Sequence, residues 1–135
     1  MPEQHEDDHI DQPSDGIIRH EDYVTLYANN VQFQPFEWDL RMTFGELDVR
    51  KGQVIIEQHT AITVTWLQAK LMLYFLGLQV AVHEMSHEPI RIPKSVFPPE
   101  PTLPSGDLPN DPIALKVYEY IKAERDRLLA SSALI

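Results

Sequence analysis

Residues 65–87 read TWLQAKLMLYFLGLQVAVHEMSH. The run holds no proline, is far longer than a strand, and is dense in good helix formers, so the sequence predicts one long helix from Thr65 to about His87, with Thr63 or Thr65 as N-cap. Leu67, Leu71, Tyr74, Leu78, Val82 and Met85 fall on one stripe at helical spacing, enough to cover a sheet. Trp66, Leu73, Leu76 and Val80 lie largely off that stripe, and Met72 and Phe75 widen the apolar arc. A helix apolar on so many sides must be covered on more than one side. The expectation is therefore a homo-oligomer whose interface includes Trp66, Leu73, Leu76 and Val80, with Gly77 allowing close helix approach.

Upstream, the periodicity changes to that of strands. Phe36, Trp38, Leu40, Met42 and Phe44 alternate with Glu37, Asp39, Arg41 and Thr43, and Val31 and Phe33 share a face. The phase slips at Pro35, which predicts a bulge or an edge position there. Gly45–Gly52 reads as the hairpin connection, and Val54, Ile56, Ile62 and Val64 as the inward face of the returning strand. YVTLYA, residues 23–28, reads as a third strand, with Asn29-Asn30 as the turn after it.

Downstream, prolines at 89, 93, 98, 99, 101, 104 and 109 exclude another long helix before residue 110, although Ile90 and Ile92 suit a short strand. Asp111-Pro112 then makes a good N-cap and first-turn pair. Ile113, Val117, Tyr120, Ile121 and Leu128 form the apolar stripe of a second, amphipathic helix, with Lys116, Glu119, Lys122, Arg125 and Asp126 on its other face. The fold class expected is α+β: an antiparallel sheet of about three strands packed on one long central helix, plus a C-terminal amphipathic helix. The division is an acidic, disordered tail over 1–22, a core domain over 23–97, a proline-rich linker over 98–110 and a C-terminal helix over 111–131.

The chain has 135 residues, a net charge of −10 and no cysteine. One domain's worth of core is the bound. The charge argues against a nucleic-acid partner, and the absence of thiols removes disulfides and cysteine-based metal sites. No basic leader or sufficiently long apolar span is present in the sequence, so a cytoplasmic protein that does not enter membranes is expected.

One motif carries candidate chemistry. His83-Glu84-Met85-Ser86-His87 spells H-E-x-x-H, which on a continuous helix sets two imidazoles one turn apart for zinc, with the glutamate as general base. Its context is poor. Pro89 ends the helix at or before His87, the helix dipole favours protonated imidazoles at its C-terminus, and no later histidine offers a third ligand. A small zinc-dependent hydrolase using His83, Glu84 and His87 is thus the alternative, and a helix end with dipole-compatible histidines, without metal or cofactor, is the preferred reading.

YANNVQFQPFEWDLRMTFGEL, followed by HTAITVTWLQAKLMLYFLGLQVAVHEMSHEPIRIP, resembles a bacterial and archaeal family catalogued as domain of unknown function 3467, over about residues 23–94. In that resemblance Glu84 matches an acid at the helix end, and Ile90, Ile92 and Pro93 match the closing segment. Glu88 or Pro89 departs from the family's glycine, His83 falls where the family tends to have another residue, often aromatic, and His87 has no family role. The resemblance implies no activity. The function expected is a non-enzymatic homo-oligomeric binding, scaffold or adaptor protein, chaperone-like in one variant. Its partners are itself and, through the sheet or the C-terminal helix, another protein.

Overall fold

A computed structural model of the chain describes residues 16–103 and 111–134, so most of the acidic tail and much of the proline-rich linker lie outside the described residues. The chain is α+β, with a three-stranded antiparallel sheet, a long central helix and a C-terminal helix. It divides into two units, Met1–Thr65 and Trp66–Ile135.

The first unit is the sheet, in the order β1 (Asn30–Pro35), β2 (Asp39–Arg50), β3 (Gln53–Thr65). Residues 23–28, strand-like in composition, form no strand, and the third strand is β1 instead. The reason lies in where their backbone goes: the Tyr27 carbonyl meets His59 Nε2 at 2.8 Å, a side-chain contact in place of a ladder. Asn29 does extend the sheet, accepting from Leu47 N–H at 2.6 Å through Oδ1 and donating its own N–H to the Gly45 carbonyl at 3.1 Å. Pro35 closes β1 at the sheet's edge, where a missing N–H costs no interior ladder bond. The phase slip next to it is a tight reversal through Phe36-Glu37-Trp38, in which Phe36 N–H reaches the Asp39 carbonyl at 2.9 Å.

The β2–β3 hairpin is longer than the sequence predicts. Gly45 is no loop residue but lies inside β2, and the connection is only Lys51-Gly52, with φ of 52° and 77°. Two successive positive φ angles make the two-residue turn whose twist matches the strands, and glycine takes its place there without strain. Gly45 serves a different purpose: a Cβ there would stand 2.5 Å from the Glu57 carbonyl oxygen. The register shifts at this point, with Phe44 opposite Thr60 and Gly45 opposite Gln58, leaving His59 as the extra residue of a bulge.

That one residue changes the faces. Directly paired residues share a face, so Leu40, Met42 and Phe44 lie with Ile62 and Val64, and with Val31 and Phe33 of β1. Beyond the bulge, Leu47 and Val49 pair with Ile56 and Val54, and these four occupy the opposite face. The single inward face expected for Val54, Ile56, Ile62 and Val64 is therefore split in two. Met42, 6% exposed, is the one buried apolar residue among those described; Leu40 and Phe44 beside it are half-buried.

In the second unit, α1 (Trp66–Ser86) follows β3 without a break, at the positions the sequence predicts. After Pro89, β4 (Arg91–Ile92) pairs in parallel with β5 (Ala133–Leu134), so the short strand expected around Ile90 and Ile92 exists and its partner is the end of the chain. Between them α2 (Pro112–Ser131) begins as expected, with Asp111 Oδ1 accepting from Ile113 N–H at 2.9 Å and Pro112 in the first turn. The face by which α2 docks differs from the expected stripe. Ile113, Val117, Tyr120 and Ile121 are exposed, whereas Ala114, Tyr118 and Arg125 are half-covered. Arg125, expected in solvent, donates from Nε to the Pro98 carbonyl at 2.9 Å and lies over the Phe97 ring, its centre 5.2 Å away. A planar guanidinium stacks on an aromatic face and bonds through its edge at once, which a lysine could not do.

Candidate functional site

Three places can be weighed: the H-E-x-x-H segment, the polar side of the hairpin, and the surface of α1.

His83 and His87 lie one turn apart, as the spacing requires. Their rings stack face to face, with centres 4.5 Å apart and planes 20° from parallel. His87 N–H bonds to the His83 carbonyl at 3.0 Å, and His87 Nδ1 stands 3.0 Å from the same oxygen, so the last helical bond reaches His87, just past the end of α1 at Ser86. Glu84 is the informative residue. Its Oε1 accepts the Ile90 N–H at 2.9 Å, clamping the chain as it reverses after Pro89. A general base must face a bound water, and this carboxylate faces the protein's own backbone. The helix-end acid thus has a structural task that its place in the motif does not suggest. Among the described residues, the three-residue group with metal-ligating atoms in mutual reach is His20, Glu21 and Asp22, all exposed and adjacent in sequence; His83 and His87 belong to no such group.

The second place is a shallow cavity of about 230 Å³ lined by Asn29, Glu46, Leu47, Asp48, Arg50 and Glu57. Arg50 fills its charge requirement. The guanidinium reaches Glu57 at 2.7 Å and Asp48 at 3.2 Å, and these partners raise its pKa, Glu57 more than Asp48. The Asp48 carboxyl is held below its ordinary value, first by Arg50 and then by the Val49 N–H. Such a cluster is closed by its own ion pairs and pins the polar side of the hairpin's outer half. A second depression, about 240 Å³ and mostly apolar, lies where residues 24–28 pass Phe44, His59, Thr60 and Ile62.

The third place is α1 itself. The stripe residues Leu67, Leu71, Tyr74, Leu78, Val82 and Met85 are all exposed, and so are Trp66, Leu73, Leu76 and Val80 on the other sides. Leu73 is 73% and Leu76 63% exposed. A Cβ added at Gly77 would meet nothing within 4 Å. No helix among the described residues is long and apolar enough to cross a membrane.

No family model, no curated protein and no solved structure matches the chain. Its function has to follow from its own chemistry.

Proposed function

We propose that the protein is a non-enzymatic binding or scaffold protein that acts as a homo-oligomer, with Trp66, Leu73, Leu76, Gly77 and Val80 of α1 in the subunit interface. The observation that carries this reading is a 21-residue helix with apolar side chains on every side and no buried residue. The large apolar side chains exposed on α1, Leu73 and Leu76 foremost, each forgo part of the roughly 1.5–3 kcal/mol that full burial brings, together on the order of 5–10 kcal/mol, comparable to a domain's whole net stability. Further copies of the same helix, packed ridges into grooves about a two-fold axis, are the economical cover. The sheet or the exposed stripe of α2, through Ile113, Val117, Tyr120 and Ile121, supplies the surface for another protein.

The alternative, a zinc hydrolase through His83, Glu84 and His87, asks Glu84 to face a bound water. The carboxylate's bond to Ile90 speaks against that use. Light scattering on untagged protein, with metal analysis of the same sample, tests the proposal. The expected result is a mass at least twice that of the 15.6 kDa chain without stoichiometric zinc. A folded monomer at micromolar concentration would refute the oligomer, and one zinc per chain would refute the non-enzymatic part.

A further inference from the structure

The two edges of the sheet are unlike. β1 is six residues long and ends in Pro35, while Asn29 before it is bonded back to β2 by both backbone and side chain. β3 runs for thirteen residues, and among the described residues no strand pairs with its outer edge. Natural edges are protected by lysine, proline, brevity or a bulge. β3 has only the bulge, at His59, and past it Thr60-Ala61-Ile62-Thr63-Val64 is β-branched or small, uncharged and free of proline. A bare edge of that composition would pair indiscriminately unless the native assembly covers it.

We propose that this edge is covered by the same strand of a second copy, antiparallel about a two-fold axis passing within Thr60–Val64. This rests on the homo-oligomer reading and adds a second contact to the one through α1. Three observations select a second copy. About a two-fold each residue meets its own stretch, so a charge near the axis would face a like charge; residues 60–64 carry none, and Glu57, the strand's one carboxylate, lies beyond the bulge. Antiparallel self-pairing satisfies the open backbone groups of both chains with no special sequence. Finally, an axis normal to the sheet keeps Leu40, Met42, Phe44, Ile62 and Val64 of both copies on one side of a six-stranded sheet.

The chain has no cysteine, so single-cysteine variants report cleanly. Thr60→Cys, Ala61→Cys, Ile62→Cys, Thr63→Cys and Val64→Cys would each be oxidised and their masses compared under denaturing conditions. Residues directly opposed across an axis stand about 4.5–5.5 Å apart at Cα, within disulfide reach. The expected result is a covalent dimer that peaks at one position and falls away on both sides. Ala61→Lys, which puts a charge on this edge, should halve the native mass, and Gln34→Lys on the β1 edge should leave it unchanged. An oligomeric wild type with no cross-link at any of the five positions overturns the edge pairing and leaves the homo-oligomer standing. The edge pairing is likewise overturned if Gln34→Lys dissociates the oligomer and Ala61→Lys does not. A monomeric wild type overturns both. Should Ala61→Lys fail to fold, the cysteine series decides alone.

Discussion

The Gln58 side-chain amide donates to Gln32 Oε1 at 2.9 Å, from one edge strand to the other across β2. The bond is open to them because Gly45, paired with Gln58 on the same face, has no side chain to stand between. The same glycine lets the Glu57 carbonyl come within 2.5 Å of where a Cβ would be, so both the bulge and the bridge depend on it. Gly45→Ala should destabilise the sheet by about 1–3 kcal/mol, the cost of forcing a backbone shift in a packed place. Urea unfolding followed by circular dichroism measures this, and a change within a few tenths of a kcal/mol would show that the bulge adjusts freely.

Glu84 separates a structural carboxylate from a catalytic one. Glu84→Gln keeps an oxygen for the Ile90 N–H and should hardly alter stability, whereas Glu84→Ala should cost about 1 kcal/mol, as the loss of a helix-end hydrogen bond does. Thermal melts with and without chelator complete the test: the midpoints should coincide, and a fall of several degrees with chelator would restore the metal site.

Removing the Arg125 guanidinium should loosen α2 from the segment before it. Arg125→Ala loses the bond to the Pro98 carbonyl and the stacking on Phe97, a change of about 1.5 kcal/mol for that contact, and Arg125→Lys should recover little of it. Hydrogen exchange along residues 112–131 would rise in both variants if the docking depends on this side chain, and would stay at the wild-type level if it does not.

Acid should release the hairpin's polar cluster. The Asp48 carboxyl titrates below its usual value of 3.8 because Arg50 and the Val49 N–H favour its charged form. A depressed carboxylate contributes above its unfolded pKa and loses that contribution as pH falls through the folded one, so the change belongs below about pH 4. The Val49 amide resonance, bonded to Asp48 Oδ1 at 2.8 Å, should move in that range and stay still between about pH 5 and 7.

On α1, Leu76→Glu or Val80→Glu should dissociate or unfold the protein, whereas Lys70→Glu should change little. Gly77→Ala is the finer probe. Within an isolated helix it should stabilise by about 1 kcal/mol, but a close approach of a second helix at Gly77 would reverse the sign. Melting curves together with sedimentation read both effects; a more stable variant of unchanged mass would place the contact elsewhere on the helix.

The elements legible in the sequence are those set by local chemistry. Asp111-Pro112 fixes the start of α2 by itself, and the length and composition of Trp66–Ser86 leave no element but a helix. The faces of the hairpin are not legible, because alternation along β3 is unbroken in the sequence and only the opposing register shows that His59 is supernumerary. Residues 23–28 have a strand's composition, but whether they find a ladder depends on a neighbour that composition does not specify. Charge alone would put Arg125 in solvent; its partners, Phe97 and Pro98, are remote in sequence and come within reach only when α2 folds back. For the H-E-x-x-H segment the helix end is legible from Pro89, while Glu84's attachment to Ile90 arises from the reversal that follows it.

The split of the chain at Thr65 also bears on how the protein reaches its final state. Every pairing in the three-stranded sheet joins strands consecutive in sequence, so the loops to be closed are short and this part can form early and alone. On the proposed homo-oligomer, α1 needs a second copy and has no such independence. Renaturation should divide into a first-order phase insensitive to dilution and a later one whose rate rises with protein concentration. Chains made side by side on one message would complete the second phase soonest.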